Sequence, residues 1–216
     1  MKNNITELVF ILDRSGSMAG LESDTIGGFN SMIRRQKQEE GACLVSTVLF
    51  STEFTRLHDR VKLEQVKDMT EKDYVAGGCT ALLDAVGDTI EHVKQIHKYI
   101  RPEDVPEHTL FVITTDGLEN ASRRFDADTV RKLIEQQKEC GWEFLFLGAN
   151  IDAIGAARDI GIDADRAANY VADSEGTDEV FFSLAATVGD YCASGSVPAN
   201  WKEKINRDYK KRKKET

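Results

Sequence analysis

Nowhere in its 216 residues does the chain have an apolar run near the roughly 18 that a membrane-spanning helix requires, so nothing in it is expected to cross a bilayer. Cysteine is sparse. Cys43, Cys79, Cys140 and Cys192 lie far apart in sequence and form no Cys-x-x-Cys pair, which excludes a disulfide-dense fold and leaves free thiols in a reducing compartment. Met1-Lys2-Asn3-Asn4-Ile5 leads into a strand-like segment without an apolar signal region or cleavage site, so the cytoplasm is the expected location. There is no Walker P-loop and no Gly-x-Gly-x-x-Gly, which removes the usual nucleotide cradles. His58, His92, His97 and His108 make no His-Glu-x-x-His pattern, which argues against zinc. Gly16-Ser17-Met18-Ala19-Gly20 does not set its serine midway between glycines, as a nucleophile elbow would.

What is present is an ordinary globular composition, 41% hydrophobic and 8% aromatic. A domain of this size removes about 70% of its unfolded surface from water, enough for a full core without metals or disulfides as props. The net charge of −9 is unevenly spread: residues 201–216 carry eight basic and three acidic side chains, residues 1–200 carry 20 and 34. The acidic body favours cations and argues against nucleic acid, leaving the basic tail as the one segment suited to an anionic partner. The expected organisation is a single domain over residues 1–200 followed by a basic helix or tail over 201–216.

Ile5 to Leu12, Cys43 to Phe50, Thr109 to Thr114 and Glu143 to Leu147 are short, apolar and β-rich, the pattern of strands buried on both faces. Glu53 to His58 reads as an antiparallel edge strand beside the second of these, and Ala168 to Ala172 as a last strand. Helices are expected over Leu21 to Gln38, Ala127 to Glu139, Ala153 to Ile160 and Asp178 to Tyr191. The clearest helical face is Leu82, Val86, Ile90, Val93, Ile96 and Ile100. Trp201, Ile205 and Tyr209 predict a docked C-terminal helix that frays over Lys210 to Lys214. Alternating strands and helices imply an α/β, doubly wound, mostly parallel sheet with helices on both faces. Its functional crevice lies at the carboxyl ends of the strands.

Three loops at those ends supply only oxygen donors. Asp13, Ser15 and Ser17 follow the first strand, Asp116 follows the strand near residue 110, and Gly77-Gly78-Cys79-Thr80 opens the long helix. Thr80 also has the chemistry of an N-cap for that helix. Oxygen-only sets suit hard cations, Mg²⁺ in particular. If the hydroxyls coordinate directly and the carboxylates act partly through water, the ion keeps much of its charge and attracts an external carboxylate.

Asp13-x-Ser15-x-Ser17, with Thr80 and Asp116-Gly117 in that order, resembles the metal-ion-dependent adhesion site of von Willebrand factor type A domains, over residues 5 to about 195. The resemblance implies a Rossmann-like sheet. It also implies Mg²⁺ or Mn²⁺ held by Asp13, Ser15, Ser17, Thr80 and Asp116, and a protein partner that contributes an Asp or Glu. On this reading the chain is an interaction module and not an enzyme, part of a larger assembly or self-associating through its C-terminal segment. Two alternatives stand beside it. One is a Mg²⁺-dependent phosphohydrolase with Asp13 as phosphoryl acceptor, against which Ser15 occupies the place of the second carboxylate such enzymes want. The other is a scaffold with a vestigial metal site.

Overall fold

In a computed structural model that describes residues 4–39 and 41–213, strand and helix alternate along the chain. The six strands are β1 (Ile5–Asp13), β2 (Ala42–Phe50), β3 (Phe54–Lys62), β4 (His108–Thr115), β5 (Trp142–Ala149) and β6 (Ala167–Tyr170). The helices are α1 (Glu22–Gln36), α2 (Leu82–Tyr99), α3 (Ala127–Glu139), α4 (Ala153–Asp159), α5 (Ser174–Ser194) and α6 (Glu203–Arg212). One sheet holds the strands in the order β3-β2-β1-β4-β5-β6, parallel except where β3 runs antiparallel to β2 at the edge. This is the expected Rossmann-like doubly wound sheet.

The central strand explains why the sequence shows a continuous apolar run rather than an alternation. Leu8, Phe10 and Leu12 face a core shared with α1 and α5, while Val9 and Ile11 face one shared with α2, α3 and α4, and all five are essentially excluded from water. Each such side chain contributes about 1.5 to 3 kcal/mol of burial. On the first face Phe29 of α1 meets Phe10 edge to face, with ring centroids 5.6 Å apart. Gly28 lets α1 and α5 close up, since a Cβ there would lie 2.4 Å from the Phe181 ring.

α5 begins at Ser174, four residues before the expected start. Asp173 caps it, accepting from Gly176 N at 2.8 Å, and also pairs with Arg212 of α6 at 2.5 Å. The docked C-terminal helix is present. Trp201 and Ile205 are buried, Tyr209 is half-buried, and Trp201 Nε1 donates to the Asp165 carbonyl at 2.8 Å. The helix runs to Arg212, so Lys210 and Lys211 are helical and not frayed; Lys214 lies outside the described residues. Arg212 and Lys202 turn inward onto Asp208, Asp173 and backbone carbonyls, so part of the tail's positive charge holds the fold together. Among the described residues no helix is long and apolar enough to cross a membrane.

Candidate functional site

β1 and β4 are neighbours, with Leu12 opposite Thr114, so Asp13 and Thr115 end their strands side by side. From β1 the chain turns to β2 on one side, and from β4 to β5 on the other, which makes their shared end the switch point of the sheet. The loops after both strands open onto one place, and the loop before α2 joins them. Gly16 N donates to the Gly78 carbonyl at 3.0 Å, Gly77 N to the Arg14 carbonyl at 2.9 Å, and Ala81 N to the Ser51 carbonyl at 2.9 Å.

The five oxygen-bearing residues converge there. Ser15 Oγ and Ser17 Oγ are 3.2 Å apart, and Ser17 Oγ donates to Asp116 Oδ1 at 2.5 Å. Asp13 Oδ1 accepts from Ser15 N at 2.7 Å. A Cβ built on Gly117 would sit 3.0 Å from Thr80 Oγ1 and 3.5 Å from Ser17 Oγ, so the Thr80 hydroxyl reaches the same point and only a glycine leaves room beside it. Asp13, Ser15, Thr80 and Asp116 are all at most 3% exposed; Ser17 alone lies open to solvent. The face is a shallow platform, and concave clefts lie elsewhere, between α1 and α5 and beside Trp142 and Arg166.

One local expectation is corrected. Thr80 is not the N-cap of α2: Ala81 holds that position without a side-chain bond, and the Thr80 hydroxyl turns to the loop cluster instead. Ser15 and Ser17 lie on one side of their loop, where residues 16–18 form a 3₁₀ turn. Arg14 is half-buried and reaches Thr55 Oγ1 at 3.3 Å. Asp152 caps α4, accepting from Gly155 N.

Several supporting residues have no local signal in the sequence. Thr115 Oγ1 donates to Asp13 Oδ2 at 2.6 Å, and the buried Tyr74 hydroxyl donates to the Asp13 carbonyl, fixing both ends of that residue. Asn120 is bonded to Thr80 twice: its Oδ1 accepts from Thr80 N at 2.9 Å and its own N–H donates to the Thr80 carbonyl at 3.0 Å. Glu119 accepts from Leu83 N, Ala121 N and Ser122 N, and Asp84 from the N–H groups of Arg123, Arg124 and Phe125, so the loop after β4 is clasped onto the start of α2. The one visible clue is a polar Thr-Thr-Asp at the end of an apolar strand.

The electrostatics are those of a site short of positive charge. Burial first, and then the Asp13 charge, raise the Asp116 carboxyl above its ordinary pKa, partly opposed by the Ser17 hydrogen bond. Asp116 Oδ2 is buried and accepts no hydrogen bond. An orphaned carboxylate oxygen among oxygen donors is what a cation would satisfy, so the residues fit a hard divalent ion. With only two carboxylates the set is not a carboxylate-rich centre, and among the described residues no three His, Cys, Asp or Glu side chains cluster to hold a metal.

No protein-family model and no curated protein matches the chain. Solved structures do. The von Willebrand factor domain of the type V pili tip protein Mfa5 from Porphyromonas gingivalis aligns with TM-score 0.61 at 12% identity, covering 89% of this chain and 98% of that one. Proximal thread matrix protein 1 from the mussel byssus aligns with TM-score 0.57 at 11% identity over 87% of this chain; the match spans only 46% of the mussel chain. Another structure of the mussel protein has a zinc-occupied metal-ion-dependent adhesion site. Manganese-loaded TRAP protein from Plasmodium vivax aligns with TM-score 0.55 at 15% identity, covering 84% of this chain and 74% of that one. At such identities the likeness speaks to architecture, and the architecture of this chain is the Rossmann-like fold of von Willebrand factor type A domains.

Proposed function

We propose that the chain is a divalent-metal-dependent protein-interaction module, in which Asp13, Ser15, Ser17, Thr80 and Asp116 hold Mg²⁺ or Mn²⁺ and a partner's Asp or Glu carboxylate completes the set. The observation that carries this reading is Asp116 Oδ2, buried and partnerless beside three hydroxyls. Hydroxyls are neutral ligands, so an ion held by this set retains positive charge for an incoming anion. Exposed Leu118, next to Gly117, and exposed Val75, between the anchored Tyr74 and Gly77, flank the platform and offer a partner apolar contact. The bonding of Asp13 weighs against the phosphohydrolase. Both of its carboxylate oxygens already accept hydrogen bonds, which orients it as a ligand and leaves neither free for in-line attack. We place the module in the cytoplasm, a location supported by cysteines that are few and show no disulfide-dense spacing.

Calorimetric titration of Mg²⁺ and Mn²⁺ into chelator-treated protein tests the proposal. Saturable one-site binding is expected at or below about 1 mM ion; no heat of binding from either ion at that concentration leaves only a scaffold. Asn120→Ala supplies a finer check. It leaves all five donors in place but frees the Thr80 N–H, while the backbone bond to the Thr80 carbonyl stays, so Mn²⁺ affinity should fall about 10-fold, the lower end for loss of an outer-shell partner. Unchanged affinity would show that the clasp does not set the Thr80 hydroxyl.

A further inference from the structure

At the end of the sheet remote from these loops, Cys43 and Cys192 come together. Cys43 is the second residue of β2, and Cys192 lies in the last turn of α5. Cys43 belongs to the core cluster on the α1 and α5 face, and Cys192 packs against it. Their thiols lie within interaction range of each other around one cleft, which Thr6, the β1 residue paired with Cys43, also lines; Cys43 Sγ itself donates to the Leu44 carbonyl at 3.7 Å. Cys43 is 7% exposed and Cys192 half-buried, and both line the small cleft with Thr6, Gln36, Glu39 and Gly41. Cys79 and Cys140, by contrast, are exposed singly.

The geometry points to Cys43 and Cys192 as a dithiol–disulfide site, oxidised by a small two-electron oxidant of the hydroperoxide class and closed into a bond that staples α5 to β2. The two thiols are unlike in a way that assigns their parts. The interaction with Cys43 holds Cys192 below the ordinary thiol pKa, while the same interaction and burial push Cys43 up. Cys192, the more accessible, is therefore the attacking sulfur. Its thiolate takes the terminal oxygen of the hydroperoxide, the O–O bond breaks, and the leaving alkoxide or hydroxide takes up a proton, leaving a sulfenic acid. Cys43 sulfur then attacks the Cys192 sulfur, the S–O bond breaks, and water departs with the Cys43 proton. For hydrogen peroxide, two thiols and one peroxide give one disulfide and two waters.

The test uses the full chain carrying Cys79→Ser and Cys140→Ser, exposed positions whose loss leaves the pair as its only thiols. Hydrogen peroxide is titrated in, remaining thiols are alkylated with N-ethylmaleimide, and the intact and digested protein are weighed. The expected result is a loss of 2 Da, no alkylation, and a dithiothreitol-sensitive peptide joining Cys43 to Cys192, with the melting temperature raised by about 5 to 15 °C for a loop of roughly 150 residues. Further replacement of Cys192 by serine should leave Cys43 inert to the same dose. Oxidation of Cys192 to sulfinic acid with Cys43 still alkylatable, or no reaction of either thiol, overturns the proposal.

Discussion

Asp116→Asn is expected to raise the melting temperature of the metal-free protein by about 2 to 4 °C and to abolish its response to Mn²⁺. Both halves follow from one buried carboxylate. Asp116 Oδ2 is out of water without a hydrogen bond, and the Asp13 carboxylate adds to the strain of ionising it. An unsatisfied buried group costs about 1 to 3 kcal/mol, and about 1 kcal/mol moves the midpoint of a domain this size by 2 to 4 °C. Asparagine keeps an oxygen for the Ser17 hydroxyl and removes the charge. The pH dependence has a definite sign. Because the folded pKa of Asp116 is raised, its contribution is fully present below the unfolded value and is lost as pH rises through the folded one. The metal-free wild type should therefore lose stability through this group as pH rises from the ordinary carboxylate range through the raised folded value, and the variant should be flatter over that window. With ion present the order reverses. At 100 times its Kd a ligand adds about 2.7 kcal/mol to the wild type. The variant lacks a charged donor and should bind more weakly by more than the about 100-fold that an outer-shell loss can cost, as should Ser15→Ala/Ser17→Ala. Melting curves at pH 5 and pH 7, with chelator and with Mn²⁺, separate the two effects. A variant still stabilised by Mn²⁺ to the wild-type extent would remove Asp116 from the site.

What the sequence reveals of this fold depends on whether a feature is local. The strands β1, β2, β4 and β5 are legible because burial on both faces leaves uninterrupted apolar runs, and α2 because its face repeats along one stripe. β6 is less so. Ala168 to Ala172 overshoots the observed Ala167–Tyr170, since a four-residue strand between the 3₁₀ turn at Ala164–Arg166 and the Asp173 cap of α5 carries too little pattern to fix its ends. The early start of α5 depends on Asp173 and on Arg212, 39 residues away, and Ser174-Glu175-Gly176-Thr177 offers no apolar signal of its own. Asp13, Ser15 and Ser17 are readable as a group because they are adjacent in sequence. Adding Thr80 and Asp116 required the strands to be neighbours, which the β1 and β4 register provides. Thr115, Tyr74 and Asn120 escape because each acts through a partner distant in sequence, and no residue-type pattern encodes such a pairing. The Cys43 and Cys192 contact escapes for the same reason.

The strongest case of such a hidden pairing is Glu7, and its loss should destabilise the protein by about 3 to 5 kcal/mol without touching metal binding. Within the apolar run of β1, Glu7 is completely buried on the α2 face. His97 Nε2 lies 2.5 Å from its Oε2 and Arg60 Nε 3.4 Å from its Oε1, while Trp142 packs edge-on against the His97 ring at 5.3 Å. Replacing a whole buried ionic cluster with apolar side chains often costs little, but removing one member leaves the others uncompensated, which is the expensive change. Glu7→Ala strands Arg60, whose Nη1 is already buried without a partner, and opens a void beside His97. At about 2 to 4 °C per kcal/mol the midpoint should drop by about 6 to 20 °C. Glu7→Gln keeps a bond to His97 but not the charge, and should fall between. The double variant Glu7→Ala/Arg60→Ala should recover part of the loss, since the groups interact and their effects are not additive. Glu7 stands six residues, about 20 Å along the strand, from Asp13. A Glu7→Ala protein that remains folded should therefore titrate with Mn²⁺ as the wild type does. Urea denaturation at pH 7 measures the first effect and calorimetry the second. A destabilisation under about 1 kcal/mol would mean that water reaches the cluster, and a weakened Mn²⁺ isotherm would mean that the two ends of β1 are energetically coupled.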